Sequence, residues 1–237
     1  MLLVAGVVIV VWYMRKKREF LRQRFFQQIN RVRMENLRSR ISPHFTFNVL
    51  GREINQFNGS EEVKHNLMEL VKYLRRSLEL TEKLSVSLQD ELDFVRTYIE
   101  LERGRVGEDF VATITVEDGL DATRIMIPSM IVQIPVENAI KHGLAGKDGK
   151  KELMVYVSRE TNGIRITVTD NGRGYLPQVV SATRGTGTGL KVLYQTIQLL
   201  NTKNKSDKIR FNITNRSDGQ TGTEVSVYIP FRFSYDL

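Results

Sequence analysis

The segment Pro43-His44-Phe45-Thr46-Phe47-Asn48 places a histidine directly after a proline, in a stretch whose other residues favour a helix. Because proline has no amide hydrogen and clashes with the preceding turn, we expect the helix to bend there and His44 to face outward. Neutral imidazole is nucleophilic near neutral pH, so such a histidine is a candidate acceptor for a transferred group. The alternative is that Pro43 is the first residue of a helix and His44 is an ordinary surface residue.

Four polar residues line one edge of a predicted helix that covers residues 129–143 and ends at a glycine. They are Glu137, Asn138, Lys141 and His142, whose spacing keeps them on neighbouring turns. The amide oxygen of Asn138 suits Mg²⁺, a hard cation that keeps water and substrate phosphates as its other ligands. Lys141 is a candidate phosphate contact. A solvated helix edge without a ligand is an equally simple interpretation.

A second polar segment, Asp170-Asn171-Gly172-Arg173-Gly174, follows a predicted strand. A carboxylate at that position can accept a hydrogen bond from an exocyclic amine such as that of adenine. Gly172 and Gly174 allow the backbone to approach a ligand closely. An Asx turn or a type I turn would use the same residue types.

A third segment, Gly185-Thr186-Gly187-Thr188-Gly189-Leu190, directly precedes a predicted helix. Glycines that leave amide hydrogens unpaired at a helix N-terminus form an anion site. The segment lacks the Gly-Lys-Ser/Thr of a Walker A loop, and its surroundings are not those of a dinucleotide-binding fingerprint. Residues 175–184 between the second and third segments are a candidate lid over a nucleotide.

These segments, in this order, resemble known sequence boxes. Residues 137–143, 170–174 and 185–190 are similar to the N, G1 and G2 boxes of the GHKL ATPase superfamily. Residues 43–48 match the Pro-His-Phe-x-Phe-Asn phosphoacceptor signature of sensor histidine kinases of the LytS/YehU type. The resemblance extends from about residue 31 to residue 231, which is most of the chain.

The resemblance implies an ATP-binding Bergerat fold, a dimeric histidine-bearing helical pair, and transfer of a phosphoryl group from ATP to His44 and then to an aspartate of a response-regulator receiver domain. It implies that Asn138 holds Mg²⁺ and that Asp170 contacts adenine. The complete predicted nucleotide-binding set is Asn138, Lys141, His142, Asp170, Gly172, Gly174, Gly185, Thr186, Gly187, Gly189 and Leu190.

One residue departs from the pattern of many histidine kinases. Phe45 follows His44 where those proteins have an acid, so a general base or orienting group must come from elsewhere, with Asn48 and Glu137 as candidates. Two other functions therefore stay open. One is a catalytically inactive ATP-binding module that regulates a partner, and the other is a serine-directed kinase with the same ATP fold.

The start of the chain resembles a membrane anchor. Residues 2–14 are almost wholly apolar, and Trp12 and Tyr13 precede the basic run 15–18, which is typical of the cytoplasmic end of a transmembrane helix. The apolar run would span about 20 Å as a helix, whereas the hydrocarbon core is roughly 30 Å thick. We therefore expect a partial span, or a weak lipid-contacting anchor, with the catalytic part on the cytoplasmic side of a bacterial inner membrane. A buried core helix is the alternative.

Two helices are predicted after the anchor, in residues 18–57 and in residues 61–80, with a short turn between them. Two antiparallel helices cannot bury both apolar faces alone, so pairing with a second copy into a four-helix bundle is expected. Residues 81–87 resemble a linker. The predicted domains are 1–14, a partial transmembrane helix, 15–82, a dimerising phosphoacceptor region, and 83–237, the ATP-binding domain.

The remaining chain predicts an α+β sandwich with a mainly antiparallel sheet. A helix is expected at residues 88–103, and hydrophobic residues then alternate with period two from about residue 109. The dipeptides Asn162-Gly163 and Asp218-Gly219 are hairpin turn signals. Helices at 129–143 and 188–201 are expected to cover one face of the sheet.

Charge and composition exclude several classes of protein. The net charge is +8, but residues 15–40 hold ten Lys/Arg and two Asp/Glu, which accounts for the whole excess (10 − 2 = 8). The rest of the chain is neutral, so no direct nucleic-acid binding is expected. The absence of cysteine excludes disulfides and thiolate chemistry, and three scattered histidines do not suggest a metal cluster.

Overall fold

A computed structural model describes residues 12–17, 20, 24, 61–175, 188–202, 204 and 206–235. In chain order the elements are α1 (Glu61–Glu82), β1 (Ser85–Ser87), α2 (Leu88–Val106), β2 (Phe110–Val116), β3 (Met126–Pro128), α3 (Gln133–Asn138, followed by a π-helical turn Ala139–Gly143), β4 (Lys151–Glu160), β5 (Gly163–Asp170), α4 (Thr188–Asn201), β6 (Arg210–Asn215) and β7 (Thr223–Pro230).

A five-stranded sheet in the order β2-β4-β5-β7-β6 forms the centre of the fold. Only the β2–β4 pair is parallel, and the other three pairs are antiparallel. The β4–β5 and β6–β7 pairs are hairpins at the turns that the Asn162-Gly163 and Asp218-Gly219 signals predict. The predicted α+β architecture with a mainly antiparallel sheet is confirmed.

The helices cover one face of this sheet. Inward side chains of β4, β5 and β7, such as Val155, Ile166 and Val227, are buried in one core with α2, α3 and α4. On the opposite face Met154 and Tyr156 are exposed. The period-two pattern of the sequence therefore corresponds to one packed and one solvated face.

Helix α2 begins and ends at identifiable caps. Ser87 Oγ accepts a hydrogen bond from the Asp90 amide at 3.0 Å, which satisfies one of the unpaired amides of the first turn. Gly107 ends the helix with φ +111°, and its amide donates to the Arg103 carbonyl at 3.1 Å. The helix predicted at residues 88–103 is confirmed and extends to Val106.

The prediction of a linker at residues 81–87 is wrong. Strand β1 pairs antiparallel with β3, the Ser129 amide donates to the Leu84 carbonyl at 3.1 Å, and Ser129 Oγ donates to the Leu80 carbonyl. Leu80 and Val86 are buried in the common core. The apolar residues that alternate through this segment anchor it, so α1 and the sheet domain are joined by packed structure.

The N-terminal segment is described only in part. Residues 12–17 are helical, and Trp12 and Tyr13 are exposed. Over the ranges that the structure describes, no helix has both the length and the apolar character needed to cross a membrane. Residues 1–11 and the predicted phosphoacceptor segment, including His44 and Asn48, lie outside the described residues.

Candidate functional site

The polar helix edge lies on a helix that changes type within the site. Residues Gln133–Asn138 are α-helical, and Ala139–Gly143 continue as a π-helical turn in which the Leu144 amide donates to the Ala139 carbonyl at 2.8 Å. Such turns are rare and are frequent at functional sites. The predicted start at residue 129 is wrong: the helix begins at Gln133, because Met130 has a positive φ of 68° that no helix accommodates.

A buried carboxylate from α2 holds the start of α3. Glu91 accepts hydrogen bonds from the amides of Met130 at 2.9 Å, Val132 at 3.1 Å and Gln133 at 3.2 Å, and it is fully buried. Val132 has no side chain that could cap the helix, so Glu91 satisfies the amides from a distance in sequence. The sequence analysis missed this residue, although an acid next to the apolar positions of α2 was a signal.

Glu137, Asn138 and Lys141 form a connected edge on α3 and its π-helical turn. Glu137 Oε1 accepts from Gln133 Nε2 at 3.0 Å, and Lys141 Nζ lies 3.3 Å from Glu137 Oε2. Asn138 Nδ2 donates to the Ile134 carbonyl at 2.8 Å. Among the described residues no donor reaches Asn138 Oδ1, so an amide oxygen remains available as a hard ligand.

His142 is half-buried at the end of this edge. Burial, reinforced by the nearby charges of Lys141 and Arg173, lowers the pKa of His142 below its ordinary value. The imidazole is therefore neutral near neutral pH, so it adds little positive charge to the site. The cations of this edge are Lys141 and Arg173.

Asp170 lies at the end of β5 and is 4 % exposed. Its Oδ1 accepts hydrogen bonds from the amides of Gly172 at 2.8 Å and Thr223 at 3.4 Å, and neither amide engages Oδ2. Burial raises the pKa of Asp170, while hydrogen bonds from Gly172 and Thr223 oppose the shift. The side chain is a fixed acceptor, held at Oδ1 by these two amides and also hydrogen-bonded by the Thr223 side chain.

Two glycines bring the N-box and G1 segments into contact. A Cβ on Gly143 would lie 2.7 Å from Asp170 Oδ1, and a Cβ on Gly172 would lie 2.2 Å from the Gly143 carbonyl oxygen. The Arg173 amide also donates to the Gly143 carbonyl at 3.4 Å. The structure therefore places two of the three predicted segments in one site, and only glycine fits at their junction.

Residues of the β6–β7 hairpin complete this site, and the sequence analysis missed them. A Cβ on Gly222 would lie 1.9 Å from the Asp170 carbonyl oxygen. Asn215 Oδ1 accepts from the Tyr175 amide at 2.6 Å, and its Nδ2 donates to the Tyr175 carbonyl at 3.2 Å. Asn215 therefore fixes the chain directly after Gly174, whose φ is +85°. The Gly222-Thr223 pair at the start of β7 was the available signal.

The G2 segment is described only at its end. Gly185, Thr186 and Gly187 lie outside the described residues, and their roles stay predictions. Gly189 and Leu190 lie in the first turn of α4, as predicted, and Leu190 packs against the common core. The helix that follows the glycines thus has a fixed position beside the sheet.

Comparisons with known proteins agree with this arrangement. Residues 123–232 match the family model of histidine kinase-, DNA gyrase B- and HSP90-like ATPases, which is the class that the sheet, the N-box helix and the Asp170 loop define. Residues 32–110 match the histidine kinase model. The two matches show a histidine kinase segment followed by an ATPase domain of this class.

Two curated relatives and one solved structure illustrate the similarity. The chain is 28 % identical to the sensor histidine kinase YpdA of Escherichia coli (strain K12) over 205 residues, covering 86 % of this chain and 35 % of that protein. It is 32 % identical to the sensor histidine kinase/phosphatase LytS of Staphylococcus aureus (strain MRSA252) over 197 residues, covering 79 % and 33 %. The chain thus spans about a third of the length of these relatives.

The solved structure is the histidine kinase domain from the Erythrobacter litoralis EL346 blue-light activated histidine kinase. It has 18 % identity and a TM-score of 0.47, and it covers 78 % of this chain and 94 % of that chain.

Proposed function

We propose that this protein is the kinase part of a two-component phosphorelay, which transfers the γ-phosphoryl group of ATP to His44 and then to an aspartate of a response regulator. The supporting observation is the closure of Gly143, Gly172 and Gly222 around the buried Asp170, in a chain whose preceding segment matches the histidine kinase family. These glycines place backbone, and no side chain, next to one fixed carboxylate, and we infer that the edge of a flat heterocycle binds there.

The nucleotide is oriented by groups at two ends of the site. Asp170 Oδ2 accepts a hydrogen bond from the exocyclic amine of adenine, which fixes the base. Lys141, His142 and Arg173 face the phosphates, together with the amides of the G2 segment at the start of α4. Asn138 Oδ1 would hold Mg²⁺, whose charge neutralises the β- and γ-phosphates when it is bound.

The transfer step is an in-line displacement at phosphorus. A ring nitrogen of His44 attacks the γ-phosphorus, an N–P bond forms, the bond to the bridging oxygen breaks, and ADP leaves. The other ring nitrogen then gives its proton to a base. Phe45 cannot supply that base, so Glu137 or Asn48 accepts or orients the proton. A phosphate that attracts Lys141 would release Glu137 Oε2 for this role.

The proposed partners follow from the first part of the chain. Residues 15–82 pair with a second copy, and the receiver domain of a response regulator accepts the phosphoryl group from His44. Residues 1–14 tether the protein to the inner membrane, with the basic segment 15–40 near anionic lipid headgroups. The ATP-binding domain is then cytoplasmic.

The test is labelling of the purified chain with γ-³²P-ATP. We expect label that is lost in acid and retained in alkali, that disappears in His44→Gln, and that persists in the matched control His65→Gln. Acid-stable label would favour the serine-directed kinase. Binding of ATP with no label in any variant would favour the inactive regulatory module.

A further inference from the structure

A buried series of hydrogen-bonded side chains connects α1 with α3, the helix of the N-box residues. Tyr73 of α1 is 7 % exposed, and its ring is stacked on Phe94 of α2 with centroids 4.9 Å apart and an interplanar angle of 3°. It also lies against Tyr98, at a centroid distance of 5.8 Å. The tyrosine is therefore held in one orientation, with its hydroxyl directed towards α3.

Gln133 is the link between Tyr73 and the site. Its Nε2 donates to Tyr73 Oη at 3.4 Å and to Glu137 Oε1 at 3.0 Å, so both amide hydrogens are used. The side chain is completely buried, and its Oε1 receives no hydrogen bond in the described part of the chain. A buried amide that leaves its own acceptor unpaired is unfavourable for stability, and such groups often have a functional reason.

This series of polar contacts continues from Glu137 to Lys141, a cation of the site. Lys141 Nζ lies 3.3 Å from Glu137 Oε2 and 5.9 Å from the centre of the Tyr98 ring. Tyr98 is itself 1 % exposed. The two oxygens of Glu137 therefore have different partners. Oε1 is held by Gln133, which contacts α1, and Oε2 lies beside Lys141, the cation that can contact a phosphate.

We propose that Tyr73 and Gln133 are positioning residues that hold the Glu137 carboxylate, so that the seating of α1 on the ATP domain controls phosphoryl transfer. This inference rests on the proposed function. The Gln133–Tyr73 hydrogen bond is 3.4 Å long, close to the limit for such a bond. A small shift or rotation of α1 therefore breaks it, and Glu137 then keeps Lys141 as its partner.

The kinetic test uses two variants that preserve packing. Tyr73→Phe keeps the stacked ring and removes the hydroxyl, and Gln133→Met keeps the volume and removes the amide. We expect each to lower the kcat of autophosphorylation about fivefold to tenfold, as for loss of one buried hydrogen bond, with less than about a twofold change in the KM for ATP. Lys72→Gln, which breaks an exposed ion pair within α1, is the matched control and should behave as wild type.

A double-mutant cycle decides whether the effect passes through Glu137. If it does, Tyr73→Phe has no further effect on kcat in a Glu137→Gln background. Additive losses, an unchanged kcat, or a change confined to KM would overturn the proposal.

A readout that needs no phosphoryl transfer separates this inference from the proposed function. We expect faster amide hydrogen exchange in residues 133–143 of Tyr73→Phe than in wild type, without a change in residues 151–170. Absence of phosphohistidine in the wild type would refute the proposed function. The exchange result would still test the coupling between α1 and residues 133–143. Wild-type exchange in residues 133–143 would overturn the coupling even if His44 is labelled.

Discussion

At the scale of single residues, stability and binding place opposite demands on Asp170. Its carboxylate is buried, and the fold supplies two amides to Oδ1 without neutralising the charge. Burial raises the pKa, which means that the native state binds a proton more tightly than the unfolded chain does. The contribution of Asp170 to stability is therefore complete at low pH and is lost as pH rises through the native pKa.

The variant Asp170→Asn tests these opposite demands. At neutral pH we expect its free energy of unfolding to equal or exceed that of wild type, and we expect the difference to shrink as pH falls through the native pKa of Asp170. ATP binding should weaken roughly tenfold or more, because a charge-assisted hydrogen bond to adenine is lost. Thermal unfolding across pH and calorimetric titration with ATP measure both effects. A variant that is less stable than wild type and binds ATP normally would contradict this description.

The glycine junction gives a second prediction. Gly143→Ala places a Cβ 2.7 Å from Asp170 Oδ1, so we expect a loss of about 1–3 kcal/mol in the free energy of unfolding together with weaker ATP binding. Gly104→Ala is the control, because Gly104 is exposed within α2 and alanine there should stabilise by about 0.5–1 kcal/mol. Denaturant unfolding of both proteins measures the difference, and equal stability would show that the junction is not close-packed.

Residues of the site differ in how far the sequence reveals them. Asp170 and Gly172 belong to one short segment with a recognisable order of residue types, so the sequence places them together at the end of a strand, while their binding roles stay predictions. Glu91 and Asn215 act through contacts across 39 and 40 positions of the chain, and no local pattern encodes such contacts. The same limit applies to the hydrogen bond between Gln133 and Tyr73, which spans 60 positions of the chain and depends on the packing of α1.

At the scale of elements, the short helix α3 depends on a cap from another helix. Glu91→Gln replaces one carboxylate oxygen by an amide nitrogen opposite backbone amides that need an acceptor, so we expect the free energy of unfolding to fall by about 2–3 kcal/mol. The KM for ATP should rise, because α3 carries the N-box residues. Urea denaturation and ATP titration provide the measurements.

The exposed acid Glu100 on the same helix is the control for this prediction. Its side chain is 64 % exposed and pairs with Arg103, so Glu100→Gln should change stability by less than about 0.5 kcal/mol. If Glu91→Gln behaved like Glu100→Gln, the cap would not determine the position of α3.

Elements whose signals are local were predicted well, and those that depend on tertiary contacts were not. The hairpins follow from dipeptides such as Asn162-Gly163 and from period-two alternation. Residues 81–87 were predicted as a linker, yet strand β1 forms there through pairing with β3. The early start predicted for α3 failed for a related reason, since the backbone at Met130 is set by Glu91.

At the scale of the whole molecule, pairing of two chains is the feature that the proposed function requires. The chain has a mass of 27.3 kDa, so a dimer has twice that mass, about 55 kDa (2 × 27.3). We expect sedimentation of the detergent-solubilised protein, corrected for bound detergent, to report the dimer. A monomer at concentrations where the kinase is active would contradict pairing through residues 15–82.

The uneven charge of the molecule supports attachment of its N-terminal part to anionic lipid. The excess of positive charge lies in residues 15–40, next to the apolar start of the chain, while the ATP domain is close to neutral. Attraction of such a segment to anionic lipid falls within a Debye length and with added salt. Binding of the chain to anionic vesicles should therefore weaken as salt is raised, and should be weaker with neutral vesicles.

The central claim is that a nucleotide held at Asp170 donates its phosphoryl group to His44. Peptide mass spectrometry, performed at alkaline pH after incubation of the wild-type chain with ATP and Mg²⁺, tests this directly. We expect one phosphoryl group on the peptide that contains His44, and much less in Asp170→Asn when the ATP concentration is below the wild-type KM. A phosphoryl group on a serine, or on His65 with His44 unmodified, would contradict it.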